Sequence, residues 1–277
     1  MDSGGNTAEL AQGRAHGLST NALKIWAVIA MACDHIPYLA EAWQADYYAA
    51  PWVFMHAFGR LTAPIFFYLL VVGYGRTRDA NRYTLRLLVF ASITYLPYVW
   101  YFRGAPPNAQ NFLHLDVIFT MLVGLLLLRA LREVKNMPLK AACVVLCLLA
   151  GYWCDYGLYG IAMILVCDLA RAHGGRRGTV LGMAAVMMAY VYSNVSAGDA
   201  GLLEALAAFQ NPPMLGYIFV QLCQLLPLIL IARHRLWLPG GAAEARPGGF
   251  AKWGFYIFYP AHITALLLIR LLALSQG

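Results

Sequence analysis

Apolar stretches alternate with short polar loops along most of this 277-residue chain. Several stretches fall short of the ~20 residues that a helix needs to cross the hydrocarbon of a bilayer, so tilted or merged helices are expected among them. The pattern predicts an all-α polytopic membrane protein. Its transmembrane helices number about nine, at roughly 22–40, 60–75, 83–102, 114–131, 138–153, 157–171, 178–195, 214–232 and 250–273.

The composition supports that prediction, because 61% of the residues are hydrophobic and only 12% are charged. Soluble globular domains carry about 25% charged residues, so the composition excludes an ordinary soluble fold. Residues 1–20 are polar and Gly-rich and lack the apolar core of a signal peptide, which predicts a disordered cytoplasmic tail. Residues 21–277 are predicted to form a single transmembrane domain.

The formal net charge of +7 is explained by membrane topology and not by nucleic-acid binding. With nine spans, every Lys and Arg except Arg60, Arg103 and Arg270 falls on one side of the membrane. Cytoplasmic loops carry an excess of Lys and Arg, so the N-terminus is predicted in the cytoplasm and the C-terminus outside. Membrane lipid is therefore an expected partner, and nucleic acid is not.

The first span carries two ionisable side chains, Asp34 and His35, in an otherwise apolar segment. They follow Lys24 by roughly 15 Å along a helix, which is close to the middle of the bilayer. Ionisable residues at that depth are costly and mark functional sites by default. Since neighbouring residues on a helix point about 100° apart, one side chain is expected to face a cavity and the other a neighbouring helix. A purely structural pair that joins two helices is the alternative.

The last span carries a second histidine, His262, which follows Lys252 by ten residues and so lies at a depth similar to that of His35. Pro260 is expected to open the helix beside it. Two histidines at matching depth on the first and last spans predict a common cavity, where an imidazole could act as a general base. A simple hydrogen bond between two helices is the alternative.

Arg60 opens the second span at its outer end, against the charge asymmetry of the loops. It is interpreted as a partner of Asp34 or of an anionic group, and a snorkelling interfacial side chain is the alternative. No role is predicted for His56, which falls in an aromatic segment, 41–59, that is expected to lie along the outer surface. His234 is likewise given no role among the basic loop residues around it.

Further polar residues are predicted at the outer ends of the spans. His114 and Asp116 open the fourth span, and Asp155 and Tyr156 lie in the tight turn between the fifth and sixth spans. Asp155, Tyr156 and Tyr159 are predicted to shape a mouth for an acceptor, and His114 and Asp116 are predicted as further site residues. An interfacial position is the alternative for all five. No histidine motif or carboxylate cluster indicates a metal site, and there is no P-loop or dinucleotide fingerprint.

Five short segments share the order and residues of a known family. They are Leu23-Lys-Ile with Asp34-His35-Ile36; Gly59-Arg-Leu-Thr-Ala-Pro-Ile-Phe66 followed by Gly73; Phe119-Thr-Met-Leu-Val-Gly124; Asp155-Tyr-Gly-Leu-Tyr-Gly160; and Phe255-Tyr-Ile-Phe-Tyr-Pro-Ala-His262. Over about residues 22–270 the chain thereby resembles the TraX family of membrane proteins, which is named for the acetylation of conjugative pilin.

The TraX family is similar in organisation to a broader group of transmembrane acyltransferases. The resemblance implies an acetyl-CoA donor, an essential histidine embedded in the membrane, and an acceptor on the far side. Carried over by position, it makes His35 the acid/base residue, with Asp34 and Arg60 supporting it. It places His262 and Tyr259 in the lining of the site.

The expected function is that of an acetyltransferase in the bacterial inner membrane, which moves an acetyl group from cytoplasmic acetyl-CoA to an exported acceptor. That acceptor is a pilin N-terminal amine, another peptide amine or a glycan. The phosphates of acetyl-CoA are expected at basic loop residues, namely Arg76, Arg78, Arg82 and Lys252. Asp116 stands where the family segment is expected to carry Asn. A proton-coupled transporter or channel and a non-catalytic assembly factor for pili or envelope polymers are the alternatives.

Overall fold

The computed structural model describes residues 17–40, 43, 49–195, 212–237 and 249–275. These residues form α-helices and short 3₁₀ turns, and no β-strand occurs among them. The helices are α1 (Thr20–His35), α2 (Ala50–Gly59), α3 (Thr62–Arg76), α4 (Ala80–Arg103), α5 (Val117–Glu133), α6 (Met137–Tyr152), α7 (Gly157–Val195), α8 (Pro212–Leu222), α9 (Pro227–Ala232) and α10 (Gly249–Ser275). The 3₁₀ turns are Ile36–Leu39, Cys223–Leu225 and Arg235–Trp237.

Five helical segments in the described part of the chain are long and apolar enough to cross a membrane. They are Thr20–Leu39, Ala50–Arg76, Ala80–Arg103, Leu215–Ala232 and Trp253–Ser275. The described helices therefore agree with an all-α membrane protein. The nine spans, the cytoplasmic N-terminus and the external C-terminus stay predictions.

Large apolar side chains remain exposed on several helices, as expected where a helix contacts lipid instead of water. On α1 and α4 they include Ile25, Trp26, Ile29, Leu85, Leu88, Val89, Ile93 and Leu96. On a water-soluble protein, so much exposed apolar surface would mark a binding interface or cause aggregation.

Helix α7 combines two of the predicted spans, 157–171 and 178–195, across an interruption at Gly175. The φ angle of Gly175 is 54°, a conformation that favours glycine. A Cβ added to Gly182 would lie 2.9 Å from Val166. In a straight helix those two residues would be roughly 24 Å apart, so the two halves of α7 fold back on each other.

The prediction that 41–59 lies along the outer surface is wrong for residues 50–59, which form α2 and pack against α1. Pro51 lies in the first turn of α2, where its missing N–H costs no helical hydrogen bond. The apolar side chains that follow form a helix whose inner face buries His56 and Ala57. Helix α2 then leads through Arg60 and Leu61 directly into α3.

Helix α3 lies at the centre of the bundle. Nearly all of its side chains from Thr62 to Tyr74 are buried, as expected for a helix that is apolar on every side. It contacts α1, α5, α7 and α9. Asp34 and Arg60 lie near the N-terminal end of this helix, and Arg76 lies at its C-terminal end.

Helix α10 packs along α4 and also contacts α1. The rings of Phe90 and Tyr256 stack with their centroids 5.2 Å apart across the interface between α4 and α10. The predicted opening at Pro260 is wrong, because α10 continues through this residue. The hydroxyl of Thr264 donates a hydrogen bond of 2.7 Å to the carbonyl of Pro260. The regular helix brings His262 against the end of α1.

Candidate functional site

The site is centred on two histidines from opposite ends of the chain, His35 at the end of α1 and His262 in the middle of α10. The Nδ1 atom of His35 lies 2.8 Å from the Nε2 atom of His262. Their rings are nearly parallel, with an angle of 5° between the planes and 5.1 Å between the centroids. The structure thus brings together the two histidines that the sequence places at matching depth.

The hydrogen bonds of the pair fix which nitrogens carry protons when both rings are neutral. The Nδ1 atom of His262 lies 2.9 Å from the backbone carbonyl oxygen of Phe258, which can only accept, so Nδ1 carries the proton. The Nε2 atom of His262 must then accept from Nδ1 of His35. As a result, Nε2 of His35 has a lone pair and can accept a proton.

Aromatic residues surround His35, which is only partly buried. The ring of Phe102 packs edge to face at 5.3 Å, and the ring of Tyr259 lies 6.2 Å away. Within the described residues, Nε2 of His35 makes no hydrogen bond. The imidazole is therefore held by its Nδ1 side, while its basic nitrogen stays accessible.

Asp34 bonds to a different histidine. Its Oδ1 atom lies 3.0 Å from Nδ1 of His56, which is 6% exposed on α2. The hydrogen bond of Asp34 thus goes to His56, and its interaction with the His35 ring is electrostatic. Sequence reasoning missed His56, because its aromatic surroundings were interpreted as an outer loop. The signal that could have found it is the apolar periodicity of 50–59.

Gly59 allows this close contact between α1 and α2. A Cβ added to Gly59 would lie 2.3 Å from the Cβ of Asp34, well inside the van der Waals distance. The ring of Tyr38 packs edge to face on His56, with 5.4 Å between the centroids. Asp34 and His56 are thus held in one arrangement by the packing around them.

Arg60 lies at the junction of α2 and α3, where the guanidinium interacts electrostatically with Asp34, Tyr38 and Tyr156. Its Nε–H is buried and has no hydrogen-bond acceptor among the described residues. Of the two interpretations from the sequence, the geometry favours the one in which Arg60 lies beside Asp34. Tyr156 packs edge to face on Phe67 at 5.5 Å, so it belongs to this cluster.

Asp116 and His114, both predicted at the outer end of the fourth span, have different surroundings. Asp116 is fully buried, contrary to an interfacial position, and its Oδ1 accepts from the backbone N–H groups of Ile118 and Phe119 as the N-cap of α5. His114 instead bonds to Arg103 through Nδ1, at 2.8 Å. Burial and the neighbouring Arg103 guanidinium lower the pKa of His114.

Asp155 lies close to Asp116 because the turn between α6 and α7 pairs with the start of α5. The backbone N–H of Asp155 donates to the carbonyl of Leu115 at 2.7 Å, and the N–H of Leu115 donates to Trp153 at 3.1 Å. The predicted tight turn is therefore confirmed. Asp155, Asp116 and Tyr98 interact electrostatically, and the Asp155 side chain remains exposed.

A cavity of about 720 Å³ lies between α1, α3, α4, α5 and α10. Arg76, Arg78 and Arg82, which the sequence suggested for binding the donor, line one part of it. Tyr259 lines another part, so the cavity extends to the surroundings of His35. Lys252 was also predicted to bind the donor, and its side chain lies outside the described part of the structure.

A chain of contacts that the sequence did not predict supports the backbone at His35. The hydroxyl of Tyr101 donates to the carbonyl of His35 at 2.7 Å. Arg270, 8% exposed on α10, donates through Nη1 to the carbonyl of Tyr101 in the last turn of α4, where carbonyls lack helical partners. The arrangement joins α10, α4 and α1. The signal that could have found Arg270 is its charge within an apolar span.

His234 is fully buried, so its interpretation as an ordinary loop residue is wrong. Its Nδ1 lies 2.7 Å from the hydroxyl of Tyr68, and its Nε2 lies 3.1 Å from the hydroxyl of Thr20. The residues around it pair with the segment before α1. Leu18 exchanges backbone hydrogen bonds of 2.8 Å with Arg233 and Arg235. This contact ties the start of α1 to the segment after α9.

Metal ligands do not gather in the described part of the chain, where no group of three or more His, Cys, Asp or Glu side chains could hold an ion. The arrangement instead offers an imidazole nitrogen with a free lone pair on His35, a carboxylate–histidine pair formed by Asp34 and His56, and the guanidinium of Arg60 beside that pair.

Comparison with known proteins identifies the family. The family model described as TraX protein matches residues 19–270, and the chain belongs to the TraX family. A relative named probable fimbrial assembly protein FimC, serogroup H1, from Dichelobacter nodosus, is 27% identical over 252 residues. The alignment covers 88% of this chain and 92% of the relative. No solved structure matches the chain.

Proposed function

We propose that this member of the TraX family is an integral membrane acetyltransferase in which Nε2 of His35 is the general base. The observation that carries the proposal is the 2.8 Å hydrogen bond between Nδ1 of His35 and Nε2 of His262. That bond leaves the second nitrogen of His35 as a proton acceptor. The ring of Tyr259, which lies 6.2 Å from the ring of His35, lines the cavity. A partly buried imidazole of fixed tautomer is suited to general base catalysis.

The cavity suits acetyl-CoA as the donor. Its volume of about 720 Å³ lies within the usual range for small-molecule sites. One acidic residue, Asp79, lines it, together with five basic residues, Lys24, Arg76, Arg78, Arg82 and Arg86. The phosphates of acetyl-CoA would bind the basic part of the cavity, and the thioester would extend towards Tyr259 and His35.

In the proposed reaction, the acceptor amine or hydroxyl attacks the thioester carbon while His35 removes its proton. A carbon–nitrogen or carbon–oxygen bond forms and the carbon–sulfur bond breaks. The leaving thiolate of CoA takes the proton from the His35 imidazolium. The Nε2 atom of His262 stabilises that imidazolium by accepting its Nδ1–H, and Arg60 supplies positive charge near the developing oxyanion.

The proposed acceptor is an exported pilin amine, another peptide amine or a glycan. The name of the Dichelobacter nodosus relative, a probable fimbrial assembly protein, supports a role connected with pili. With the predicted orientation, acetyl-CoA would enter from the cytoplasm and the acceptor from the outer side of the bacterial inner membrane.

The test is acetyl transfer from labelled acetyl-CoA to an envelope fraction by the purified chain in detergent. His35→Ala is expected to lower the rate at least about 100-fold, because general base catalysis contributes that much or more. His173→Ala is the matched control, since His173 is an exposed histidine that makes none of the site contacts. Wild-type activity in His35→Ala would refute the assignment.

A non-catalytic assembly factor is the second candidate, and the name of the relative also agrees with it. In that case the two histidines would serve only to join α1 and α10. A double variant, His35→Phe with His262→Phe, that still folds and supports pilus assembly would favour this candidate. Loss of assembly together with loss of an acetyl group from an envelope peptide or glycan would favour the acetyltransferase.

A further inference from the structure

We infer that Gln221 and Gln224, with Tyr159 and Arg60, form a subsite that binds a backbone amide of a peptide acceptor. The inference rests on the proposed function and names the residues that would hold the acceptor next to the reacting group. The sequence suggests Arg60 and Tyr159 as site residues, but not Gln221 and Gln224. The subsite lies where α2, α7 and α8 meet.

Contacts between aromatic and amide side chains build this cluster. The hydroxyl of Tyr159 donates to Oε1 of Gln224 at 2.7 Å. The ring of Tyr159 stacks on Tyr190 with 4.2 Å between the centroids and lies 6.2 Å from the ring of Tyr156. Tyr190 and Tyr156 both interact electrostatically with Arg60. Gln224 is thereby connected to Arg60 through tyrosines. Gln221 contacts Tyr217, which also interacts electrostatically with Tyr190 and Arg60.

The cluster carries polar atoms that the described part of the chain leaves without hydrogen bonds. Gln221 is 5% exposed and Gln224 is 3% exposed. Neither Oε1 of Gln221 nor Nε2 of Gln224 has a partner among the described residues, and the same holds for Nε of Arg60. Leaving a buried polar group unpaired costs about 1–3 kcal/mol. Three such groups in one cluster are explained if a ligand pairs with them.

The three unpaired groups match the backbone of a peptide. Nε2 of Gln224 and Nε of Arg60 are donors that can bind two carbonyl oxygens, and Oε1 of Gln221 is an acceptor for one N–H. Sugar-binding sites, by contrast, present an open aromatic face to the sugar ring. Here one face of Tyr159 is covered by Tyr190, so the amide and hydroxyl groups are the main contacts available.

Two series of contacts connect the subsite to the proposed base, one through Asp34 and one through Tyr38. Arg60 interacts electrostatically with Asp34, the chain neighbour of His35, and with Tyr38. Tyr38 packs on Phe102 with 4.7 Å between the centroids, and Phe102 packs on His35 at 5.3 Å. A peptide bound at the glutamines would therefore extend its terminal amine past Arg60 towards His35.

The test compares three acceptors with the full chain in nanodiscs and labelled acetyl-CoA. Tetraalanine has backbone amides, alaninol is a small amine without an amide, and glucosamine represents a glycan. Gln221→Met and Gln224→Met are each expected to raise the KM for tetraalanine about tenfold, with little change in kcat and no change in the KM for alaninol. Equal effects on all three acceptors, or an effect on glucosamine alone, would overturn the inference.

Two controls separate binding from folding. Tyr159→Phe removes the existing hydrogen bond to Gln224 but keeps both unpaired amide groups, so a smaller change in KM is expected. Leu222→Ala changes a 38% exposed neighbour of Gln221 and should leave the KM unchanged. If Gln224→Met fails to fold, Gln224→Glu keeps an oxygen that accepts from Tyr159 and replaces the amide donor by a carboxylate oxygen.

Binding of fluorescent tetraalanine, measured by anisotropy, separates this inference from the proposed function. If the wild type transfers no acetyl group but binds the peptide, and the two glutamine variants bind it about tenfold more weakly, the subsite stands and the enzyme proposal fails. If acetyl transfer occurs but neither glutamine variant alters peptide binding or KM, the enzyme proposal stands and the subsite fails. Absence of peptide binding to the wild type also overturns the subsite.

Discussion

His35 donates its Nδ1–H to Nε2 of His262 across 2.8 Å, and His262 in turn donates to the carbonyl of Phe258. The carbonyl of Phe258 sets the direction of both hydrogen bonds, because a carbonyl oxygen accepts a hydrogen bond and cannot donate one. A backbone carbonyl thus performs the orienting role that a carboxylate performs in the Ser-His-Asp triad. No charge has to be buried for this purpose, which suits a site within an apolar bundle.

The first prediction concerns His262. His262→Phe keeps the ring but leaves Nδ1 of His35 without an acceptor, so the base loses its fixed tautomer. Acetyl transfer is expected to fall about 100-fold in kcat. His262→Gln offers an amide oxygen in its place and should retain more activity than His262→Phe. Equal activity of both variants and the wild type would show that His262 does not orient the base.

The second prediction concerns the contact between Gly59 and Asp34. Gly59→Ala places a Cβ 2.3 Å from the Cβ of Asp34, which forces α2 away from α1. The variant is expected to lose about 1–3 kcal/mol of stability and part of its activity. Thermal unfolding in detergent and labelled acetyl transfer measure the two effects.

Gly216→Ala is the matched control, because a Cβ there meets no atom within 4 Å. Alanine is favoured over glycine inside a helix by roughly 0.5–1 kcal/mol, so this control should be neutral or slightly stabilising. A loss of stability equal to that of Gly59→Ala would contradict the steric explanation.

The third prediction concerns Arg270 and Tyr101. Arg270→Leu leaves the carbonyl of Tyr101 without its donor, at a cost of about 1–3 kcal/mol. Arg270→Lys retains a donor and should lose less. Tyr101→Phe removes the next hydrogen bond, to His35. If the two contacts act as one support, the double variant loses less stability than the sum of Arg270→Leu and Tyr101→Phe, and strict additivity would argue against coupling.

The fourth prediction concerns the basic residues of the cavity. Arg78→Gln and Arg82→Gln are each expected to raise the KM for acetyl-CoA severalfold to about tenfold, with little change in kcat. The effect should shrink at high ionic strength, because salt screens exposed charges. Arg176→Gln removes an exposed charge that does not line the cavity and serves as the control. A rise in KM of similar size in the control would point to a general effect of charge.

The depth of residues along apolar helices was enough to predict that His35 and His262 meet, since both follow a basic residue by nearly the same length of helix. The tight turn at Asp155 follows from the short gap between the predicted spans 138–153 and 157–171. Depth along a helix does not show which residues of adjacent helices contact each other. The pairing of Asp34 with His56 depends on how α2 packs against α1, and aromatic side chains in 41–59 suited both an interfacial loop and a helix.

Residues that act through backbone carbonyls were also beyond prediction. Arg270 and Tyr101 bind carbonyl groups, and a carbonyl at a helix end leaves no trace in the residue types. His234 was misjudged because basic neighbours suggested exposure, whereas the ring is enclosed by Tyr68 and Thr20. Regular features such as apolar periodicity are visible in the sequence, and specific long-range contacts are not.

The pairing of Leu18 with Arg233 and Arg235 has a practical consequence for work with this protein. It ties the start of α1, where Thr20 and Asn21 line the basic cavity, to the segment after α9. An affinity tag or fluorescent protein joined close to Leu18 would therefore begin at the cavity rim and compete with a charged ligand for access. Past Tyr259, no residue of α10 lines the cavity, so a fusion after α10 is the better choice for purification and binding studies.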